Sequence, residues 1–206
     1  MTVVTLVRHG RTAWTEPTRY AGDTDVALDD VGRAQAAVLG AWAAGRGFTS
    51  LVCSDLGRAR ATAEAVTTST GLAALVDPRL REPHYGIAEG RSLEDLRVSE
   101  PEALAAYEAD PVANPWPRAE PPAQVAARGL AALRDVVARD EAGAPLVVAH
   151  SSVLRLVLCV ALGIPLRDYR RALPRLDPAT VTELDVRPDG TAGLFRYNAP
   201  LLGPAD

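Results

Sequence analysis

Cysteine and histidine are scarce in this chain, and those that occur are widely separated. The 206 residues include two cysteines, Cys53 and Cys159, and three histidines. Neither residue type shows the paired spacing of a metal site, so we predict a protein without a metal or another cofactor. Both cysteines lie in apolar surroundings, which is typical of buried free thiols in a reducing compartment. A disulfide between them is the less favoured alternative.

Long apolar runs and basic clusters are missing as well. The most apolar later stretch, residues 153–164, contains Arg155 and is too short to span a bilayer. We expect no secretory leader, because Arg8-His9 interrupts the first apolar segment too early. The net charge of −4, without basic runs and interleaved aromatics, argues against nucleic acid or anionic membranes as partners. We therefore expect a cytoplasmic protein whose anion sites are local.

Strand and helix patterns alternate along the chain. Hydrophobic residues make up 48% and charged residues 23%, which fits one folded domain over residues 1–206. We predict an α/β three-layer sandwich, with a mostly parallel central sheet, an antiparallel C-terminal edge and helices on both faces. Strands are predicted over 3–7, 51–53, 73–76, 145–149, 180–186 and 194–197, and helices over 29–46, 58–69, 125–139 and 152–163. The first helix is assigned an apolar face made of Val31, Ala34, Val38, Ala41 and Trp42.

Residues 92–122 differ in composition, being rich in Glu, Ala and Pro. Prolines end helices and favour extended geometry before them, so we predict short helices and an irregular loop. This insert is either a lid over a site or a passive surface insertion, and the sequence favours neither. Trp116 either caps the site or anchors the loop to the core.

Three predicted strands end at residues that suit phosphate chemistry. Arg8-His9-Gly10 follows the first strand, Arg58 opens the helix after the second, and His150 follows the strand at 145–149. Ligands gather beyond the carboxyl ends of parallel strands, and helix N-termini favour anions. A neutral imidazole is a good nucleophile near pH 7, and an adjacent guanidinium can bind a phosphoryl group. An isolated Arg-His pair is more often structural, so the convergence of all three strand ends carries the prediction of a phosphate pocket.

These segments resemble the histidine phosphatase superfamily, which includes the cofactor-dependent phosphoglycerate mutases. The resemblance covers most of the chain and implies a phosphoglycerate mutase-like fold. Five elements carry it in order: LVRHGRT at 6–12, TDVALDDVGRAQA at 24–36, SDLGRARATA at 54–63, LRE with YG and EG between 80 and 90, and VVAH at 147–150.

The resemblance implies a role for each matching position. His9 would be the nucleophile that forms a transient phosphohistidine, while Arg8 and Arg58 would bind the phosphoryl oxygens. His150 would donate to the same oxygens. Glu82, which follows the third strand, would protonate the leaving alkoxide and then activate water. The family needs no metal, since cationic side chains can supply the electrostatic stabilisation.

Two departures from the family pattern concern the substrate. Thr15 and Ala21 stand where the family usually has Asn and Gln, and Ser151-Ser152 stand where glycines are common. We predict that Thr15 and Ser151 contact the substrate through their hydroxyls. Arg19 is predicted to reach the substrate from the first loop.

The leading functional prediction is a phosphomonoester hydrolase that acts on a small soluble phosphorylated metabolite. The alternatives are a phosphoglycerate-type mutase and a catalytically idle protein that binds a phosphorylated ligand. Mutases of this family carry a basic residue after the catalytic Glu and further cations over the pocket. Here Pro83 follows Glu82, and residues 92–122 contain only Arg97 and Arg118 as bases. Water is therefore the favoured acceptor.

Three further expectations concern packing and assembly. Arg155 is expected to form a structural ion pair, and Tyr85 is expected to pack rather than bind. The alternating residues of the final hairpin predict an edge strand that could pair with a second copy, so a homodimer is a possible partner state.

Overall fold

The computed structural model describes residues 2–140, 143–187 and 189–201. Six strands form one sheet in the order β3-β2-β4-β1-β5-β6. Their bounds are β1 (Thr2–Arg8), β2 (Ser50–Cys53), β3 (Ala74–Val76), β4 (Pro145–Ala149), β5 (Val181–Val186) and β6 (Ala192–Ala199). The first four strands pair in parallel, and β5 and β6 add antiparallel pairs at one edge. This confirms the predicted mixed sheet.

Seven α-helices connect and cover these strands in the described part of the chain. They are α1 (Asp30–Ala44), α2 (Gly57–Thr70), α3 (Leu93–Ser99), α4 (Pro101–Ala109), α5 (Pro122–Arg139), α6 (Ser151–Ala161) and α7 (Tyr169–Ala172). Helix α1 begins at the Asp29 cap, whose carboxylate accepts the Gly32 N–H at 2.7 Å. Helix α2 ends at Gly71, which takes the left-handed φ of 77° that glycine adopts without strain.

The three layers can be seen in β4, where all five residues are buried. Successive side chains of a strand point to opposite faces, so β4 contributes to two cores. Val147 and Ala149 join the core formed with α5 and α6, whereas Leu146 and Val148 join the core formed with α1 and α2. The predicted helix–sheet–helix sandwich is therefore confirmed.

The face predicted to be buried on α1 is wrong. Val31 and Val38 are 43% and 57% exposed. The residues that α1 buries are instead Gly32, Ala36, Leu39, Gly40 and Ala43. The reason is a close helix–helix approach that only small residues permit, because a Cβ built on Gly40 would lie 2.4 Å from the Ala65 carbonyl oxygen of α2. Hydrophobic periodicity gives glycine no weight and therefore selected the wrong face.

The insert at 92–122 contains α3 and α4 followed by an irregular loop. Trp116 is 2% exposed and stacks on Tyr107 with ring centroids 4.6 Å apart, in a cluster with Leu96 and Leu104. Of the two roles considered for Trp116, the structure therefore places it as an anchor. Movement of the insert as a lid stays a prediction.

The C-terminal hairpin leaves β6 at the edge of the sheet. Leu194 and Phe195 on this strand are exposed. Pairing of β6 with a second copy stays a prediction. Among the helices described above, none combines the length and the apolar character that crossing a bilayer requires.

The contact between α1 and α2 gives a test of this packing. We expect Gly40→Ala to destabilise the protein by about 1–3 kcal/mol, because the added methyl group overpacks the interface. Intrinsic helix propensity alone would predict a gain of about 1 kcal/mol. Gly45→Ala is the matched control, since a Cβ there meets nothing within 4 Å. Urea unfolding of both variants measures the difference, and an equal stability change for the two would contradict the assignment.

Candidate active site

The strand ends predicted to carry chemistry meet at one edge of the sheet. The His9 N–H donates to the Ala149 carbonyl at 3.0 Å, and the Ser54 N–H donates to the Val148 carbonyl at 3.0 Å. These bonds continue the parallel ladder one residue beyond β1 and β2, on either side of β4. As a result His9, Ser54 and His150 lie next to one another.

His9 is held in a defined tautomer. Its Nδ1 lies 2.7 Å from the Gly10 carbonyl oxygen, which can only accept, so Nδ1 carries the hydrogen. Nε2 is then the unprotonated nitrogen, and it accepts from Arg58 Nε at 3.2 Å. Burial, together with the positive charges of Arg8 and Arg58, holds the pKa of His9 well below its usual value of 6.5. His9 is therefore neutral at pH 7, with its lone pair on Nε2, where it accepts from Arg58.

Arg58 contacts His9 and is fully buried. Its guanidinium donates to three backbone carbonyls, those of Thr24 at 2.8 Å, Ala21 at 3.1 Å and Gly22 at 2.6 Å. The remaining contacts come from Nε, which is shared between His9 Nε2 and His150 Nδ1, each at 3.2 Å. Burial lowers the pKa of Arg58 from its usual value. The carbonyl dipoles orient this charge toward the two imidazoles.

His150 faces His9, with ring centroids 5.0 Å apart. Its Nε2 lies 2.8 Å from the Ser54 hydroxyl, and its Nδ1 faces Arg58. Burial, followed by the positive charge of Arg58, lowers the pKa of His150 well below 6.5. In the neutral ring Nδ1 accepts from Arg58 and Nε2 donates to Ser54. Because a hydroxyl can also donate, Ser54 can support the other tautomer, in which Nδ1–H becomes a donor.

The loop at 20–24, which supplies the carbonyls for Arg58, is itself held by Glu89. The Glu89 carboxylate accepts backbone N–H groups from Gly22 at 2.8 Å, Thr24 at 3.1 Å and Tyr85 at 3.0 Å. This explains structurally why the Glu89-Gly90 element accompanies the other motifs. Thr62 makes a second link, since its hydroxyl donates to the Arg58 carbonyl at 2.8 Å and accepts the Gly10 N–H at 3.1 Å.

Arg8 is the last residue of β1, and one of its N–H donors has no hydrogen-bond partner in the described residues. Its NH1 donates to the Leu176 carbonyl at 2.6 Å, but its buried Nε has no hydrogen-bond partner in the described part of the chain. Burial lowers the pKa of Arg8 to about 10, so the guanidinium stays charged at pH 7. An unpaired buried N–H costs free energy, which an anionic ligand would recover.

Glu82 lies at the N-terminus of α6 and is 5% exposed. Its carboxylate accepts the backbone N–H groups of Ser152 at 2.9 Å and Val153 at 3.1 Å. It also accepts the Tyr85 hydroxyl at 3.0 Å, and that hydroxyl lies 2.6 Å from the Ser152 hydroxyl. Tyr85 packs against Tyr20, as expected, and in addition it contacts the candidate acid directly. Its signal in the sequence was its position three residues after Glu82.

A cavity of about 680 Å³ opens over these groups. Arg8, His9 and Glu82 line it, whereas Arg58 and His150 lie one layer deeper. The structure brings the predicted substrate contacts Thr15, Arg19 and Ser151 to the same lining. The Thr15 hydroxyl accepts the Thr12 N–H at 3.1 Å, and Arg19 donates to the Gly90 carbonyl at 3.0 Å. Within the insert at 92–122, Leu93 lines the cavity.

The cavity also has cationic residues that sequence reasoning missed as pocket residues. Arg155, Arg170 and Arg175 line it from α6, α7 and the segment that follows. The expectation of an ion pair for Arg155 is wrong: its Nε donates to the Ser151 carbonyl at 3.2 Å and its NH1 to the Leu173 carbonyl at 3.1 Å. No local pattern distinguishes these arginines from ordinary surface charges.

One group of side chains has metal-ligating atoms close together, namely Asp23, His84 and Glu89 within 4.8 Å of one another. Both Glu89 oxygens already accept backbone N–H groups. The exposed His84 ring contacts backbone atoms of Arg118 and Gly86. We therefore assign no metal to this group.

The model of the histidine phosphatase superfamily (branch 1) matches residues 4–198. The protein of Erwinia tasmaniensis named probable phosphoglycerate mutase GpmB is 34% identical over 185 residues, covering 90% of this chain and 85% of that relative. A mycobacterial glucosyl-3-phosphoglycerate phosphatase solved with VO3 superposes with a TM-score of 0.87 at 29% identity, covering 96% of this chain and 99% of the other. The structure of Bacillus stearothermophilus YhfR superposes with a TM-score of 0.88 at 30% identity, covering 97% of this chain and 98% of the other.

The chain belongs to the histidine phosphatase superfamily. The match extends over nearly the whole chain and includes all five elements on which the resemblance was based. The two structural superpositions, which cover 96–97% of this chain, show the same fold.

The two buried histidines predict a pH-dependent stability. Because their pKa values in the folded state lie below the unfolded value of about 6.5, the unfolded chain binds protons first as the pH falls. We expect the free energy of unfolding to be unaffected by these groups above pH 7 and to decrease below about 6.5. The decrease can reach about 1.4 kcal/mol per pH unit for each histidine.

Urea unfolding between pH 7.5 and 5.5 in phosphate-free buffer measures this dependence. His150→Gln should reduce the slope, while His84→Gln, which changes an exposed histidine, should leave it unchanged. A stability that does not vary across this range would show that the two imidazoles are not buried in neutral form.

Proposed function

We propose that this protein is a phosphomonoester hydrolase that works through a phosphohistidine on His9. The observation that carries the proposal is the state of His9: it lines the cavity, its Nδ1 is bonded to the Gly10 carbonyl, and its unprotonated Nε2 accepts from the buried Arg58 guanidinium. Glu82 lines the same cavity and can exchange a proton with a leaving group. The substrate class is a small soluble phosphate ester.

In the first step, His9 Nε2 attacks the phosphorus atom of the ester. An N–P bond forms and the ester P–O bond breaks, while Nδ1–H keeps its bond to the Gly10 carbonyl. Glu82, in its protonated form, gives its proton to the departing alkoxide, so an alcohol leaves.

In the second step, a water molecule takes the place of the alcohol. Glu82, now a carboxylate, removes a proton from the water as its oxygen attacks phosphorus. The N–P bond breaks, inorganic phosphate leaves, and His9 returns to its neutral form. The Tyr85 hydroxyl and the N–H groups at the start of α6 hold the Glu82 carboxyl group in place.

Arg8, Arg58 and His150 supply the electrostatic part of the reaction. Arg8 Nε is a buried N–H donor without a partner in the described residues, and Arg58 Nε donates to His9 Nε2, the atom that would bind phosphorus. His150 can add a donor through Nδ1 when Ser54 donates to its Nε2. Such fixed donors stabilise charge in a transition state without reorganisation.

A mutase remains the second candidate, because Arg155 and Arg170 add positive charge to the cavity wall outside the insert. A relative named as a probable phosphoglycerate mutase points the same way. Pro83 in place of a basic residue, and the similarity to a phosphatase structure, favour water as the acceptor. Conversion of 3-phosphoglycerate to 2-phosphoglycerate, stimulated by a bisphosphorylated primer and exceeding phosphate release, would identify the mutase.

We expect His9→Ala to abolish turnover of p-nitrophenyl phosphate at mildly acidic pH, because the substitution removes the proposed nucleophile. The wild-type enzyme, quenched in alkali during turnover of a radiolabelled phosphate ester, should carry label on His9. His84→Ala is the matched control and should retain activity and labelling, since His84 is exposed and outside the cavity lining. Turnover by folded His9→Ala protein would reject the mechanism. A wild-type protein that binds phosphate without turnover would instead be the idle binding protein.

We expect Glu82→Gln to affect leaving groups unequally. A sugar or glycerol alkoxide needs a proton to depart, whereas p-nitrophenolate does not. The loss in kcat/KM should therefore be at least about tenfold greater for the alkyl phosphates, within the range of general acid catalysis. Steady-state kinetics on both ester types measures the difference, and equal losses would exclude Glu82 as the proton donor.

A further inference from the structure

Two arginines in the cavity lining, Arg155 and Arg170, carry positive charge that no carboxylate offsets. In the described residues neither forms an ion pair, whereas the lining arginines Arg11, Arg19 and Arg175 contact carboxylates at 2.8, 3.4 and 2.5 Å. We propose that Arg155 and Arg170 form a second anion subsite, which binds a carboxylate or phosphate group of the substrate other than the phosphate that is cleaved. This inference rests on the proposed function and specifies its substrate class.

Arg155 is 7% exposed, and its guanidinium is anchored by neutral groups only. It donates to the Ser151, Leu173 and Pro174 carbonyls at 3.2, 3.1 and 3.4 Å, and it lies 5.2 Å from the centre of the Tyr169 ring. Carbonyl dipoles and an aromatic face orient a charge, but they do not neutralise it. The site therefore holds a nearly buried cation whose counterion is missing from the described chain.

Arg170 extends the same positive region at the exposed side of the cavity. Its NH1 donates to the Tyr107 hydroxyl at 2.8 Å, and the guanidinium lies 5.3 Å from the centre of the Tyr107 ring. These contacts fix the planar group while leaving other N–H donors for a ligand. The arrangement differs from that of Arg171, its neighbour on α7, which pairs with Asp168 at 3.2 Å and does not line the cavity.

The chemistry of the subsite selects its ligand. A guanidinium binds planar carboxylates and phosphates through paired N–H donors, more strongly than it binds neutral oxygens. Arg58 donates to His9 Nε2, and Arg8, also a lining arginine without an ion pair in the described residues, precedes His9 in the chain; we assign these two to the phosphate that is cleaved and the second pair to a separate anionic group. A cavity of about 680 Å³ has room for a substrate that carries both groups. We infer a phosphate ester with an additional carboxylate or phosphate, rather than a simple alkyl or sugar monophosphate.

Binding of phosphonates tests the subsite independently of turnover, because their C–P bond cannot be hydrolysed by this chemistry. The probes are matched pairs that differ only in a terminal carboxylate: 3-phosphonopropionate against propylphosphonate, and 6-phosphonohexanoate against hexylphosphonate. We expect the carboxylate to tighten the dissociation constant of the wild-type enzyme at least about tenfold in one of the two pairs. Isothermal titration calorimetry at constant ionic strength measures this ratio.

Arg170→Gln should bring that ratio to within about threefold of unity, while Arg171→Gln, the same change one residue away, should keep it. Arg155→Gln is the second variant, used if circular dichroism shows that it is folded, and it should reduce the ratio likewise. Equal affinities within both pairs, or a ratio unchanged by Arg170→Gln, would overturn the proposal. Loss of p-nitrophenyl phosphate turnover bears instead on the proposed function, so the two failures can be told apart.

Discussion

The structure of the site depends on one buried guanidinium, that of Arg58, between two imidazole rings. Its single Nε–H is shared by His9 and His150, and its other nitrogens are held by backbone carbonyls. Burial and this positive charge together keep both rings neutral, because a protonated imidazole would face a fixed positive group in a medium of low polarity. Both rings therefore take their neutral form before any ligand arrives. Since carbonyl dipoles rather than a carboxylate compensate Arg58, its positive charge is not cancelled.

Several residues outside the two histidines support the position of that guanidinium. Glu89 fixes the loop whose carbonyls receive Arg58, and Thr62 ties the α2 backbone to Gly10. Asp29 caps α1 and also pairs with Arg11 of the cavity wall at 2.8 Å. Residues from several of the family motifs are thus joined by one network of hydrogen bonds around Arg58. Each element matters through the contacts it makes with segments far away in the chain.

The sequence predicted the elements that have a local pattern. The strands and the four longer helices lie within a few residues of their predicted bounds, and His9, Arg58 and His150 meet because parallel strands share a carboxyl edge. The buried face of α1 was wrong, since close packing through Gly40 is invisible to hydrophobic periodicity. Ser54, Ser152 and the arginines at 155, 170 and 175 could not be assigned, because their roles arise from contacts across more than one segment.

The groups proposed to react and the cavity walls have different structural origins. His9 and His150 follow central strands of the sheet, and Glu82 is held by the start of α6, whereas the walls come largely from the loop after β1 and from the segment around α7. Substitutions in these walls can therefore change which ligands the cavity admits while the contacts that hold the two histidines stay intact. Ligand preference can diverge on such a scaffold without any rebuilding of the sheet.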